Sequence, residues 1–230
     1  MRAAAGDEIE GHPVYAAILQ LYEANLEALD GRFEEARARA EASRAPMEEF
    51  GRRILLGSQR RYAGQIELLA GDAAAAEGLL RDGFRTLREF GERGNAASVA
   101  ADLARTLHVL GRDSEAEAMA AAASDLGSPD DIEVQVFSRL VRAGARGAAG
   151  AVDEAVAISR EAVDIAERTD ASTMRGDALL ELGRVLRGAG SDGDADDAAR
   201  RALELYEAKG NRVGAAAARE FLASPEVSLR

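Results

Sequence analysis

The 230-residue chain has no cysteine and no tryptophan, and only 4% of its residues are aromatic. Without cysteine there is no disulfide, no thiol catalysis, no iron–sulfur cluster and no cysteine-based zinc site. His12 and His108 are the only histidines, too few for a histidine-rich metal site, and Lys209 is the only lysine. No apolar run approaches the ~20 residues needed to cross a bilayer. Met1 to Glu10 carries Asp7, Glu8 and Glu10 and no apolar core, so it does not read as a secretory signal, and a cytoplasmic location is expected. The net charge of −12 and the pI of about 4.8 disfavour a general affinity for nucleic acid or an anionic membrane. What remains is 47% apolar and 30% charged, a globular composition long enough to bury a core as one domain or two.

The chain repeats itself. Gly-x4-Ala occurs at Gly31/Ala36, Gly71/Ala76, Gly111/Ala116, Gly150/Ala155 and Gly190/Ala195, with steps of 40, 40, 39 and 40 residues. Seven residues before each glycine stands another small residue: Ala24, Gly64, Ala104, Ala143 and Gly183. Two markers in one register at a near-constant step define a repeat array. The flanking segments have helical spacing, as in Tyr15, Ile18, Leu19, Tyr22, Leu26 and Leu29. No long β-branched alternating run occurs, and alanine, leucine, glutamate and arginine favour helix.

Each unit therefore reads as helix, tight turn, helix. The expected helices are 13–29 and 33–50, 54–70 and 73–90, 96–110 and 114–126, 130–149 and 152–168, 173–188 and 194–208, with a last helix at 211–223. The array is expected to fill 1–230 as a single unit, with repeats at 12–52, 53–94, 95–128, 129–170 and 171–210 and a capping helix at 211–223. Turn glycines allow a left-handed exit from a helix. Asp72 and Asp113 stand where an N-cap oxygen is wanted, and Ser128-Pro129-Asp130-Asp131 reads as a helix start. Pro46 should kink the second helix. Gly127–Pro129 is the clearest candidate hinge, and residues 1–10 and 224–230 are expected to fray.

The glycine–alanine pattern resembles the tetratricopeptide repeat. The fifth unit is nearest, with Leu179, Leu182, Gly183, Leu186, Gly190, Ala195, Ala199 and Ala202 in order. The step of about 40 exceeds the usual 34 residues, so the helices are longer. The resemblance implies an all-α, right-handed solenoid of five helix pairs plus the cap. The segments beginning at Glu67, Ala166, Arg175 and Leu205 are also similar to the C-terminal repeat region of bacterial regulators that carry a nucleotide cyclase domain and a signal-transduction ATPase domain. Neither enzymatic module is present.

Motifs for chemistry are weak. Gly188-x-Gly190-x-x-Gly193 has the dinucleotide spacing but follows a helix and contains Asp192, so an inter-helix turn is the better reading. Asp192, Asp194 and Asp196 begin like a calcium loop, but Asp197 and Leu203 replace its glycine and glutamate. Neither histidine has a partner at metal or triad spacing. Arg52, Arg53, Arg60 and Arg61 lack an aromatic platform beyond Tyr62, so a solvated face is preferred to nucleic-acid binding. No catalysis, metal or cofactor is expected.

The resemblance also implies a concave groove lined by the first helix of each pair. In that register the groove positions are Asn25, Arg61, Gln65, Arg105, His108, Asp177, Arg184 and Arg187. Four arginines and one acid suggest a basic stripe that recognises an acidic or C-terminal peptide segment. The alternative is exposed charge in another register. The apolar residues Tyr15, Ile18, Leu19 and Tyr22 suggest an N-terminal edge that docks on a second copy or on an upstream domain. The expected function is a regulatory protein-interaction module. The alternative is a ligand-sensing or autoinhibitory region acting on a cyclase or ATPase.

Overall fold

The structure is a computed structural model and describes residues 12–224. The segments expected to fray lie outside them, Ser224 excepted. Among the described residues every regular element is a helix: α1 Pro13–Leu29, α2 Phe33–Ala42, α3 Arg44–Glu49, α4 Arg53–Leu69, α5 Ala73–Glu89 and α6 Gly94–Val109. Then come α7 Asp113–Leu126, α8 Ile132–Ala148, α9 Val152–Ala166, α10 Ser172–Gly188, α11 Asp192–Lys209 and α12 Arg212–Ala223. Helices pair as neighbours in the chain and stack pair on pair, giving an α-solenoid.

Both sequence markers are packing sites. Ala36, Ala76, Ala116, Ala155 and Ala195 are fully buried, as are Ala24, Ala104 and Ala143. The five turn glycines adopt left-handed φ between 72° and 86°. Each lets the chain leave a first helix through paired backbone bonds, such as Gly31 N–H to Ala28 O and Arg32 N–H to Glu27 O. At Gly64 an added Cβ would stand 2.7 Å from Leu80 Cγ, so α4 and α5 touch backbone to side chain there. Gly64→Leu should cost ~1–3 kcal/mol and lower the melting temperature. An unchanged melting curve would place this crossing elsewhere.

Pro46 does more than kink its helix. It splits the expected 33–50 helix at Ser43 into α2 and α3, because its ring opposes the carbonyl four residues back and it donates no bond. The Ala40 carbonyl near the break accepts from Ser43 Oγ at 2.7 Å and from buried Gln59 Nε2 at 2.9 Å. Asp72 caps α5 by accepting from Ala75 N–H. Asp113 does not cap. It is the first residue of α7, and its carboxylate turns back to His108. The cap of α8 is Asp131, accepting from Val134 N–H, and Pro129 lies in the turn ahead of it. The expected hinge at Gly127–Pro129 is packed across. Gly127 lies against Val134 and Ala97, and Ser138 Oγ donates to Ala120 O. One core cluster runs from Ala97 through Ala123 and Val134 to Phe221.

The core is built from alanine and leucine, which accounts for the scarcity of aromatics. Large residues near the ends of second helices meet small ones near the starts of first helices. Leu87 lies against Gly57 and Tyr206 against Gly176. The array also returns on itself. Arg212, at the start of α12, approaches Asp30 at 3.6 Å, and Val213 lies beside Gly31. Helix α12 covers α11 as a cap should, with Arg219 paired to Glu207, but its first turn also meets the end of α1.

Candidate functional site

First helices of the pairs carry a continuous polar row. Asn25 on α1 donates to Gln65 on α4 at 3.5 Å, and Gln65 Nε2 donates to Asp102 Oδ2 on α6 at 2.8 Å. Arg61 on α4 donates from Nε to the same Asp102 oxygen at 2.7 Å and from its outer nitrogen to Glu133 on α8. Arg105 on α6 donates to Asp177 on α10 at 3.3 Å, with its guanidinium 4.1 Å above the Phe137 ring. Tyr206 Oη on α11 donates to the other Asp177 oxygen at 2.7 Å. The pairs Arg61–Glu133 and Arg105–Asp177 each skip a whole repeat. Such contacts form on the inner side of a curved stack, where first helices of alternate units converge.

Burial sets the electrostatics. Asp102 is 1% exposed. Its Oδ2 takes two donors, whereas Oδ1 is buried with no hydrogen-bond partner and has Arg105 3.9 Å away. Burial works against the Arg61 charge, yet Asp102 and Glu133 outweigh it and hold the guanidinium protonated. Glu133 has its pKa raised, first by burial and then by Asp102, with Arg61 opposing. Burial, and then Asp177, push the Tyr206 hydroxyl well above its ordinary pKa, which keeps it a donor.

The expected groove set is therefore only partly assembled. Asn25, Gln65, Arg61, Arg105 and Asp177 belong to one row. Arg184 is exposed near it and pairs with Glu181 at 2.9 Å. His108 sits at the α6–α7 turn, with Nδ1 2.6 Å from Asp113 and its ring against Gly144. Arg187 lies elsewhere. It is tucked under the cap, stacked 3.8 Å over Phe221, bonded to the carbonyls of Phe221 and Ser224, and paired with Asp196. The arginines do not form an unpaired basic stripe, because Asp102 and Glu133 enter the row: Arg61 and Arg105 face three carboxylates. Sequence reasoning missed those two acids, Phe137 and Tyr206. The available signal was Asp102 itself, a lone charge inside the apolar stretch Val99–Ala104.

The other sequence motifs resolve as structure. Gly190 is a left-handed turn between α10 and α11. Of the local arginine cluster, Arg61 points inward, Arg60 pairs with Asp82 at 3.2 Å, and Arg52 and Arg53 are exposed. Among the described residues no group of three or more His, Asp or Glu is arranged to hold a metal ion. No helix among them is long and apolar enough to cross a membrane.

A polar row on the inside of stacked helix pairs is the architecture of a tetratricopeptide-like solenoid, and known structures share that fold. The chain is similar to BtubC (BKLC) from P. vanneervenii, with a TM-score of 0.62 and 19% identity over 90% of this chain and 85% of that one. It is also similar to a chain of nearly identical TPR-like repeats of the kinesin light chain type from Podosopora anserina. The TM-score there is 0.56, at 20% identity over 88% of this chain and 99% of the other. At these identities the likeness is one of fold. No protein-family profile and no curated protein matches the sequence.

Proposed function

We propose that the chain is a non-catalytic, regulatory protein-interaction module that holds a partner segment against its inner polar row. The observation that carries this reading is the row itself: one line of polar side chains supplied by five successive first helices, with Arg105, Glu133 and Asp177 still half-exposed. A fold built for presenting such a surface supports it. An acidic or C-terminal segment would bind by exchange, its carboxylate taking the guanidinium of Arg105 or Arg184 from Asp177 or Glu181. Trading one ion pair for another yields little net energy, so micromolar affinity is expected (roughly −8 kcal/mol).

The test is capture of partners from host lysate with the wild-type chain and with Arg105→Glu/Arg184→Glu. Arg61 and Arg187 are left alone because their side chains hold the fold. A partner retained by the wild type and lost by the variant, with helical content unchanged, is the expected result. Equal retention by both would remove the inner row from recognition. A second reading rests on the four segments similar to regulator tails: the partner is then an ATPase or cyclase, and its rate should change on binding.

A further inference from the structure

The N-terminal end presents a different surface. Eight large apolar side chains are exposed among the described residues, and seven of them gather here: Tyr15, Leu19, Tyr22 and Leu26 along α1, with Phe50, Ile54 and Phe90 beside its start. The four on α1 form one stripe about 16 Å long at 1.5 Å per residue. Ile18, expected to share it, is half-buried and packs toward the core.

The repeat shows that this stripe is normally covered. Leu19 is 62% exposed, but its counterparts one repeat apart, Gln59, Val99, Ser138 and Ala178, are 0–3% exposed. Leu26 is 56% exposed, whereas Ile66, Thr106, Ala145 and Val185 in its register are 0–6% exposed. The second helix of the preceding pair provides that cover, as Gln59 and Ser138 show by donating to Ala40 on α2 and Ala120 on α7. Soluble monomers seldom expose an apolar patch of this kind.

Charge indicates the occupant. At the start of α1 the stripe runs into a cavity of about 700 Å³ whose lining includes Tyr15, Ile18, Ile54 and Phe90, together with Arg52 and Arg53 and, among the described residues, no acid. At the other end stands Asp30, the C-cap of α1, which within the chain meets Arg32 at 3.0 Å and Arg212 at 3.6 Å. A second copy laid antiparallel sets Leu19 against Tyr22 and Tyr15 against Leu26, and brings each Asp30 beside the other copy's Arg52 and Arg53. A parallel arrangement would set arginine against arginine. The antiparallel pairing is also the self-complementary one that a twofold dimer needs. The alanine faces of the second helices are already buried, so among the described residues this apolar face is the one a second copy has to offer. We propose that two chains associate through antiparallel α1 helices, a surface separate from the inner polar row.

Light scattering coupled to size exclusion, over a concentration series of the full chain, tests this. The wild type should reach twice its 24.2 kDa. Leu19→Glu/Tyr22→Glu should stay monomeric with unchanged helicity, because both side chains are more than half exposed. Asp30→Arg and Arg52→Asp/Arg53→Asp should each be monomeric alone and dimeric when mixed, since the mixed pair restores both charge contacts. A wild type monomeric throughout, or a dimer that survives the double-glutamate change, overturns the proposal. Charge variants that gain nothing on mixing overturn the antiparallel arrangement.

Discussion

Arg61→Ala is expected to destabilise the chain by ~3 kcal/mol, at the lower end of the range for breaking a buried ion pair. The loss would come from what stays behind. Asp102 is 1% exposed and would be left with Gln65 as its one remaining hydrogen-bond donor. Glu133 would lose the cation that opposes its raised pKa. Arg61 ties α4 to α6 and α8 together, so the change should loosen the curvature of the stack as well as its stability. Replacing Arg61 and Asp102 together with leucine should be less harmful than the single change, because no buried charge is then stranded. Urea unfolding of the three chains measures both effects. A single variant as stable as wild type would show that the pair contributes nothing.

Tyr206→Ala is expected to cost ~3–5 kcal/mol, the usual range for truncating a buried aromatic. The ring is 1% exposed and fills a slot between two glycines. A Cβ added at Gly176 or at Gly214 would come within 2.6 Å of it. Tyr206→Phe keeps the ring and removes only the bond to Asp177, so it should cost about 1 kcal/mol. Thermal unfolding of the two variants separates the packing contribution from the hydrogen bond. If phenylalanine proved as damaging as alanine, the polar row rather than the ring would be holding α11 to α10. The slot also explains why glycine stands inside α10 at position 176. The same register position is Gly57 opposite Leu87, and Ala97 where the partner is Gly127.

These two sites mark the boundary between what sequence alone discloses and what it does not. The repeat step, the turn glycines and most helix limits follow from local rules, and the helices lie within about two residues of expectation outside the Pro46 break. The register implied by the tetratricopeptide resemblance also places Asn25, Arg61, Gln65, Arg105 and Asp177 on one face. It cannot show that Arg61 meets Glu133, because those residues are 72 apart and skip a repeat. That contact depends on the small rotation between successive pairs, accumulated over two units, and no 3.6-residue periodicity encodes it. Arg187 departs from the pattern for a related reason. It shares the register of the inner face, but α12 folds over the guanidinium, with Phe221 stacked on it and its carbonyl accepting from it. Asp113 occupies a turn that favours a cap, yet His108 draws its carboxylate away.

The meeting of Arg212 with Asp30 bears on how the array comes apart. An open stack resembles a one-dimensional lattice in which each terminal unit has a single neighbour, so it melts from its ends inward. Contact between the two ends couples them without closing a ring, since α1 keeps its outer stripe exposed: an opening at one end changes the odds of opening at the other. The pair is exposed, 77% on the Arg212 side, so the coupling is weak and added salt weakens it further. Hydrogen exchange in the turn at Asp30–Gly31 and in the first turn of α12 should then rise together as salt is added, even though almost the whole array separates them along the chain.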